Sequence, residues 1–374
     1  MKGIIAYILP ALLFAAVYSC GYQDNASGPA EGNTYASYFR IIDSAVVSVS
    51  PFTGETDTLA VPEPFDNIVC MSSSYAACFS ASGCDSIITG ISGERFVSSP
   101  GIRARKDSVL EVGYESTFDY EAVMRLRPDV VLAYSVNSSL PAYVRRLESL
   151  GVNVLVLYDH LENHPLARAE YIRLAGALTG RQEYADSVFD RISDRYRSMA
   201  QETAEIFRNS SGKAGRSGRH RAKVLLNLPY ADIWYVPGEC SYMSRLIYDA
   251  GGEVLGAERG RSVSSSISVE EAYALSEKAD FWLNPGSCRS REEISSLHPL
   301  FQFFGPMKKH HSIFNNIALM NDAGGNDFWE SGAVRPDLVL EDLVRIFRGD
   351  NPVSDSADIS DGTAGGLHYY IEVK

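Results

Sequence analysis

The sequence predicts an α/β protein of two Rossmann-like lobes joined by one long helix. Its 374 residues, 45% of them hydrophobic, are enough for two cores, because single cores usually stop growing at shorter lengths. From Asp66 onward, short apolar runs alternate with segments of helical period, a pattern typical of βαβ units with parallel strands. Residues 181–208 contain no Gly or Pro and predict the helix that links the lobes.

The first twenty residues predict a signal peptide. Lys2 is followed by an apolar run over residues 4–17 that is too short for a comfortable membrane span. The string VYSC resembles a bacterial lipobox, which makes Cys20 the predicted site of lipidation; a plain secretory signal cut elsewhere is the alternative. Residues 21–38 predict a flexible tether, since they are polar and rich in Gly, Ser and Asn at their start.

The first lobe is predicted over residues 39–180, with leading strands before the βαβ pattern. Strands are predicted at 67–72, 86–92, 129–135 and 153–159, and helices at 74–83, 141–151 and 165–178. A further helix between the strands at 86–92 and 129–135 is predicted to stop at Arg127, because the residue preceding a proline is pushed out of the helical region.

The linking helix is predicted to carry an apolar stripe at spacings of three and four, formed by Tyr184, Val188, Ile192, Tyr196 and Met199. A Gly- and Ser-rich mobile loop follows at 209–222, then the second lobe at 223–348 and a polar tail at 349–374.

The net charge of −13 argues against binding nucleic acid or an anionic membrane surface.

Five cysteines follow Cys20, and their spacing matches no zinc-site pattern. Cys70, Cys78 and Cys84 lie in apolar surroundings, so we expect packed thiols, although a disulfide among them stays open.

Several strings together resemble the periplasmic binding proteins that serve iron-complex, haem and cobalamin importers, over residues 65–348. The strings include DNIVCMSSSYAACFSASGCDSIITGIS, VGYESTFDYEAVMRLRPDVVLAYS, IWYVPGECSYMSRLIYDAGG and AGGNDFWESGAVRPDLVLEDLVRIF. The resemblance implies a rigid receptor of the helix-linked type (class III), with its ligand held in the cleft between the lobes.

The resemblance also implies docking carboxylates that contact the permease. Glu270 matches the family position on the second lobe. On the first lobe the corresponding helix begins Leu140, Pro141, Ala142 and carries no acid there. Glu148 and Glu162 remain the alternatives on that side.

Ligand contacts are predicted where loops follow parallel strands, because ligands of open α/β sheets bind beyond the carboxyl ends of the strands. Aromatic, Arg and amide side chains at these positions suit a large flat or amphipathic ligand. The predicted contact residues are Ser74, Tyr75, Arg95, Tyr114, Tyr134, Asn137, His160, Trp234, Tyr235, Asn284, Arg289, Asn316 and Trp329.

The string HLENH places His160 and His164 four residues apart, which on a helix would form one metal-binding face. Pro165 argues against that helix. We therefore predict no metal site built by the protein and no intrinsic cofactor.

The predicted function is that of an exported, monomeric, lipid-anchored receptor on the periplasmic side of a bacterial membrane. It captures a ferric siderophore or haem and delivers it to an ABC permease and its ATPase. Cobalamin is the alternative ligand. No catalytic motif is found, so no catalytic residue is predicted. A metal-cofactor enzyme such as a chelatase and a lipoprotein that only sequesters its ligand are the rival classes.

Overall fold

The computed structural model describes residues 28–210, 220–349 and 366–374. The predicted signal peptide, Cys20, and parts of the tether, of the loop at 209–222 and of the tail lie outside these residues. The chain forms two compact units. Unit 1 contains the described residues up to Ser193 together with Met320–Arg335, and unit 2 contains Asp194–Leu319 and Pro336–Lys374.

Unit 1 is built on a parallel sheet, in agreement with the predicted βαβ pattern. Its strands are β4 (Ile68–Cys70), β5 (Ile88–Ile91), β6 (Leu110–Glu111), β7 (Val130–Tyr134) and β8 (Val154–Leu157). They lie in the order β6-β5-β4-β7-β8, with every neighbouring pair parallel. The carboxyl ends of all five strands therefore lie at one edge.

Short helices connect these strands and cover the sheet of unit 1. They are α1 (Ser73–Ala81), α2 (Pro100–Arg103), α3 (Tyr120–Leu126), α4 (Ala142–Ser149), α5 (Pro165–Ala169) and α6 (Tyr171–Thr179). Helix α3 ends where predicted, because Arg127 before Pro128 adopts a left-handed conformation with φ of 50°. Val69, Val131 and Val156 from the sheet pack with Val144 and Leu147 of α4 in one core.

An antiparallel sheet precedes the parallel one in the chain. Its strands β1 (Phe39–Ile42), β2 (Ala45–Val49) and β3 (Thr56–Ala60) pair in sequence order. Ser48 of β2 is buried and donates a hydrogen bond to the carbonyl of Val156, so this sheet is fastened to strand β8.

Helix α7 (Gln182–Ser210) is continuous over 29 residues, about 43 Å at 1.5 Å per residue. It begins within unit 1 and ends within unit 2, as predicted. Its buried stripe differs from the predicted one at its start, because Tyr184 is exposed while Ala185 and Phe189 are buried. Val188, Ile192 and Tyr196 are buried as predicted.

Unit 2 contains a second, mostly parallel sheet. Strands β9 (Ala222–Leu226), β11 (Gly252–Val254), β13 (Phe281–Leu283) and β14 (Ile313–Asn315) are parallel, in the order β11-β9-β13-β14. The end of the chain adds β15 (Ile371–Glu372), antiparallel to β14. Strands β10 (Ile233–Val236) and β12 (Ser265–Ser268) form a separate antiparallel pair.

The helices of unit 2 are α8 (Tyr242–Asp249), α9 (Val269–Ser276), α10 (Arg291–Leu297) and α12 (Pro336–Arg348). An aromatic cluster of Trp234, Trp282, Phe301 and Phe304 fills the core beside the sheet. The segment 320–335, which carries α11 (Ser331–Val334), belongs to unit 1, although the sequence predicts it within the second lobe at 223–348.

None of the helices in the described residues combines the length and apolarity needed to cross a membrane.

Cys70, Cys78 and Cys84 are buried free thiols, whereas Cys240 is exposed and free. Burial raises the pKa of the Cys70 and Cys78 thiols, which keeps them protonated and unreactive.

Candidate functional site

The carboxyl edge of the unit 1 sheet brings together most of the predicted contact residues of that unit. Ser74 follows β4, Arg95 follows β5, Tyr114 follows β6 and His160 follows β8. Tyr134 is the last residue of β7, and Asn137 lies exposed in the loop behind it. We call this set of loops the unit 1 edge.

Asp159 is the buried charge of the unit 1 edge. Ser74 Oγ donates a hydrogen bond to its Oδ2 over 3.0 Å, and Arg168 Nη2 lies 3.6 Å from the same oxygen. Burial opposes ionisation of Asp159, but the nearby His160 ring, the Arg168 charge and the Ser74 hydroxyl outweigh it and lower the pKa to about 2. Asp159 is therefore ionised at neutral pH and fixes the start of α1 against the turn after β8.

Tyr75 was predicted as a ligand contact, and the structure corrects this. Its side chain is buried, and its hydroxyl lies 3.3 Å from both the Ala133 and the Leu157 carbonyl oxygens. Tyr75 thus holds the ends of β7 and β8 together, which leaves its ring inside the core.

His160 and Tyr134 form the polar and aromatic centre of the edge. Their rings meet edge to face, 6.0 Å apart, and the His160 side chain is 17% exposed. Within the described residues, His160 Nε2 has no hydrogen-bond partner. Burial raises the pKa of Tyr134, helped by the negative charge of Glu115, so its phenol stays neutral.

Glu111 organises two neighbouring loops, a role that was not predicted from the sequence. Its Oε1 accepts the backbone N–H groups of Gly93 and Gly113 at 3.0 and 2.8 Å, and its Oε2 accepts that of Glu94 at 2.7 Å. These loops carry Arg95 and Tyr114. An acid ending a strand just before a glycine was the available sequence signal, since a carboxylate there can gather free N–H groups.

Arg95 and Tyr114 are neighbours in their electrostatics. Burial and the charge of Glu111 raise the pKa of Tyr114, while Arg95 opposes that rise. The Arg95 guanidinium is exposed and stacks on the Phe96 ring, 4.5 Å from its centroid. It therefore offers its N–H groups to solvent.

Trp329 lies in unit 1 and is 37% exposed. Its ring meets that of Phe328 edge to face, 4.7 Å away. A tryptophan exposed to this extent on a short 3₁₀ turn (Asp327–Trp329) offers an apolar face to solvent.

In unit 2 the predicted contact residues differ in how far their side chains are buried. Trp234 is 0% exposed, and its Nε1 donates to the Leu226 carbonyl over 2.8 Å. The prediction of a ligand contact there is corrected, because the ring fills the core. Tyr235, the next residue on β10, is partly exposed.

Asn284 and Asn316 follow the neighbouring strands β13 and β14 and are both buried. Asn284 has a left-handed backbone with φ of 58° and lies beside the Tyr370 phenol. Arg289 is exposed beyond β13, and its backbone N–H donates to Glu293 over 2.6 Å. The side-chain amides of Asn284 and Asn316 are thus buried, whereas Arg289 is open to solvent.

Glu270 is exposed in the first turn of α9. Its neighbour Glu271 caps that helix by accepting the Ser268 N–H over 2.8 Å. The two adjacent acids therefore differ in role, with Glu271 used within the fold and Glu270 directed to solvent.

The histidine pair of HLENH does not form a metal-binding face. His164 Nδ1 accepts the Leu166 N–H over 3.1 Å and caps α5, and its ring stacks on Tyr35. His160 lies on a separate 3₁₀ turn. Over 28–210, 220–349 and 366–374, no three His, Cys, Asp or Glu side chains are grouped to hold a metal ion.

Comparison with known proteins assigns the family. A family model described as periplasmic binding protein matches residues 68–294, more than half of the chain. The chain therefore belongs to the periplasmic binding protein family. That family binds substrates rather than converting them, in agreement with the prediction that the protein is not an enzyme.

An uncharacterized lipoprotein of Methanocaldococcus jannaschii is 21% identical over 246 residues, covering 64% of this chain and 52% of the relative. The chain thus spans about half the length of the curated relative it matches.

Two solved structures illustrate the fold. A periplasmic haem-binding protein from Pseudomonas aeruginosa is 19% identical, covering 76% of this chain and 92% of its own, with a TM-score of 0.55. A periplasmic vitamin B12 binding protein of Vibrio cholerae is 12% identical, covering 77% of this chain and 98% of its own, with a TM-score of 0.54. The likeness confirms the predicted two-lobed α/β fold with a linking helix.

Proposed function

We propose that the protein is the receptor of an ABC importer and binds an anionic iron complex, either haem or a ferric siderophore. The observation that carries the proposal is the composition of the unit 1 edge. It combines neutral aromatic side chains with one exposed guanidinium, beside the imidazole of His160, whose Nε2 is buried. The solved structures of similar fold include a haem-binding and a vitamin B12 binding protein, which is the ligand range that we consider.

The side chains of the edge favour an anionic aromatic ligand. Tyr114 and Tyr134 supply rings, as does Trp329 on the segment 320–335 that contacts the Arg95 loop, and rings contact a flat ligand at little entropic cost. Arg95 supplies a guanidinium suited to a carboxylate or a catecholate oxygen. Cobalamin carries no carboxylate or catecholate and offers Arg95 a single phosphodiester as its anionic group, so it is the second choice.

The importer partners follow from the family and from Glu270. We propose that Glu270 contacts the permease, that an ATPase drives transport, and that the receptor works as a monomer. We also propose that lipidated Cys20 anchors it to the membrane; the M. jannaschii relative is named a lipoprotein. The exposed position of Glu270 supports the docking role, because the carboxylate is not used within α9.

The test is a calorimetric titration of the purified chain from Gly21 onward with haemin, a ferric catecholate siderophore and cyanocobalamin. The tether cannot be cut back to residue 36, since Thr34, Tyr35 and Ala36 donate their N–H groups to buried Glu170. We expect saturable binding of haemin or the ferric siderophore. An Arg95→Gln variant should bind the same complex about tenfold more weakly, the loss of one charge-assisted hydrogen bond.

Two outcomes would overturn the proposal. Saturable binding of cyanocobalamin alone would make the protein a vitamin receptor, and binding of none of the three would remove the metal-complex assignment. Asp322→Asn serves as the control, because this acid lies in the turn before Trp329 and is not part of the ligand contact set.

A further inference from the structure

The carboxylate of Glu330 fastens two segments of unit 1 that are far apart in sequence. Glu330 is 2% exposed, and its Oε2 and Oε1 accept the backbone N–H groups of Ser98 and Ser99, each over 2.7 Å. These N–H groups lie at the start of helix α2 (Pro100–Arg103), whose first residue is a proline. The carboxylate thus satisfies donors that the short helix leaves free.

Two further contacts join the same segments. Asn321 Nδ2 lies 3.4 Å from the carbonyl oxygens of both Arg95 and Val97. Gly325 lies so close to the backbone of the Arg95 loop that a Cβ added at Gly325 would lie 1.9 Å from the Phe96 carbonyl oxygen. The segment is therefore held at three points along residues 95–99.

The two fastened segments carry two proposed ligand contacts. Trp329 immediately precedes Glu330, and Arg95 lies three residues before Ser98. Trp329 lies on a 3₁₀ turn and is partly exposed. The buried carboxylate of Glu330, directly after this turn, is one of the three contacts that hold the segment against the Arg95 loop.

We propose that Glu330 is a positioning residue for ligand recognition, which holds the Trp329 ring at a set place relative to the Arg95 loop. The inference rests on the proposed function for its ligand. The Trp329 ring and the Arg95 guanidinium, held at a fixed separation, favour binding of a flat complex with an anionic group at its edge. Fixing them before binding reduces the ordering cost that binding would otherwise carry.

The first test needs no ligand. The chain contains three tryptophans, so labelling with 5-fluorotryptophan gives three ¹⁹F signals, and Trp329→Phe assigns one of them. In Glu330→Gln, one carboxylate oxygen becomes an NH₂ group that faces a backbone N–H donor. We expect the Trp329 signal to shift or broaden, while the signals of the core residues Trp234 and Trp282 keep their positions.

The second test is a double-mutant cycle on affinity, measured by calorimetry with whichever of haemin, the ferric siderophore and cyanocobalamin the wild type binds. Glu330→Gln should weaken binding about tenfold, but only in the presence of Trp329. In the Trp329→Ala background the same change should have less than a twofold effect, because the ring it positions is gone.

The matched control is Glu162→Gln, another buried carboxylate of unit 1 that accepts two backbone N–H groups, those of Ser37 and Tyr38. It should leave the Trp329 signal and the ligand affinity unchanged. A Trp329 signal unchanged in Glu330→Gln, or an equal loss of affinity in both backgrounds, overturns the positioning role. Failure of all three ligands to bind the wild type overturns the proposed function instead, and the ¹⁹F spectra then decide the positioning role alone.

Discussion

The carboxylate of Glu162 accepts the backbone N–H of Tyr38, with 3.0 Å between Oε1 and the nitrogen. The same oxygen accepts the N–H of Ser37 over 2.8 Å. Glu170, also buried, accepts the N–H groups of the three residues before Ser37. Glu162 and Glu170 therefore hold residues 34–38, immediately before strand β1, in place.

The first prediction is that the protein is more stable at pH 5.5 than at pH 8.5. Burial raises the pKa of Glu162 to about 8, although the N–H groups of Tyr38 and Ser37 oppose the rise. The folded state thus keeps a proton that the unfolded state loses near pH 4.5, so stability falls as the pH rises from about 4.5 to about 8. Melting temperatures recorded by calorimetry across this range measure the effect.

Two other buried acids act in the same direction. Burial raises the pKa of Glu330 to about 7 and that of Asp342 to about 6. Glu162→Gln removes the contribution of Glu162 and should flatten the curve of melting temperature against pH above pH 6. A profile that rises toward pH 8.5, or one that Glu162→Gln leaves unchanged, contradicts the prediction.

These buried acids share a use that the sequence did not reveal. Glu162, Glu170, Glu330 and Asp342 each accept two or three backbone N–H groups from a distant segment; for Asp342 these belong to His368 and Tyr369 near the chain end. Glutamate and aspartate are ordinarily surface residues. Since their partners are backbone groups, no complementary residue type marks them in the sequence, and the sequence suggests Glu162 as a docking residue instead.

The second prediction concerns Asp159 and the stability of unit 1. Asp159→Asn removes the negative charge that lies 3.6 Å from the buried Arg168. Breaking one partner of a buried pair costs about 3–5 kcal/mol, and we expect the lower part of this range because the Ser74 hydrogen bond can persist. Urea unfolding at pH 7 measures the change in the free energy of unfolding.

The control is Arg197→Ala, which removes the exposed ion pair between Arg197 and Asp194 on α7. Such pairs contribute about 0–1 kcal/mol. Equal losses in the two variants would mean that the Asp159 cluster is not a structural element of the unit 1 edge.

The third prediction separates Trp234 from Tyr235. Trp234→Phe leaves a cavity beside Trp282 and Phe304 and loses the hydrogen bond to the Leu226 carbonyl, so we expect a loss of about 2–3 kcal/mol. Tyr235→Ala, one residue along β10 and partly exposed, should cost less than about 1 kcal/mol. Calorimetric titration should show that Trp234→Phe leaves the ligand affinity unchanged; a tenfold loss would restore the ligand-contact role.

The adjacent residues Trp234 and Tyr235 also show what the sequence could and could not determine. Alternation of apolar runs located the strands, and Gly and Pro located most helix ends, as at Arg127 before Pro128. The face that each strand residue presents depends on register, and one step along β10 exchanges core for surface. The placement of 320–335 in unit 1 depends on long-range contacts such as that between Glu330 and Ser99, which carry no local signal.

The last prediction is that Glu270→Ala lowers uptake while leaving ligand affinity and stability unchanged. Glu270 is exposed and its carboxylate is not part of the α9 cap, so its removal costs the isolated receptor little.

Glu271→Ala is the matched control on the same turn. It removes the acceptor of the Ser268 N–H and should lower stability by about 0.5–2 kcal/mol with no direct effect on docking. Uptake of the labelled complex into cells that carry only the variant receptor distinguishes the two, because a docking residue lowers transport at saturating ligand and a capping residue does not. Equal uptake by Glu270→Ala and wild-type cells at matched receptor levels would exclude Glu270 from the permease contact.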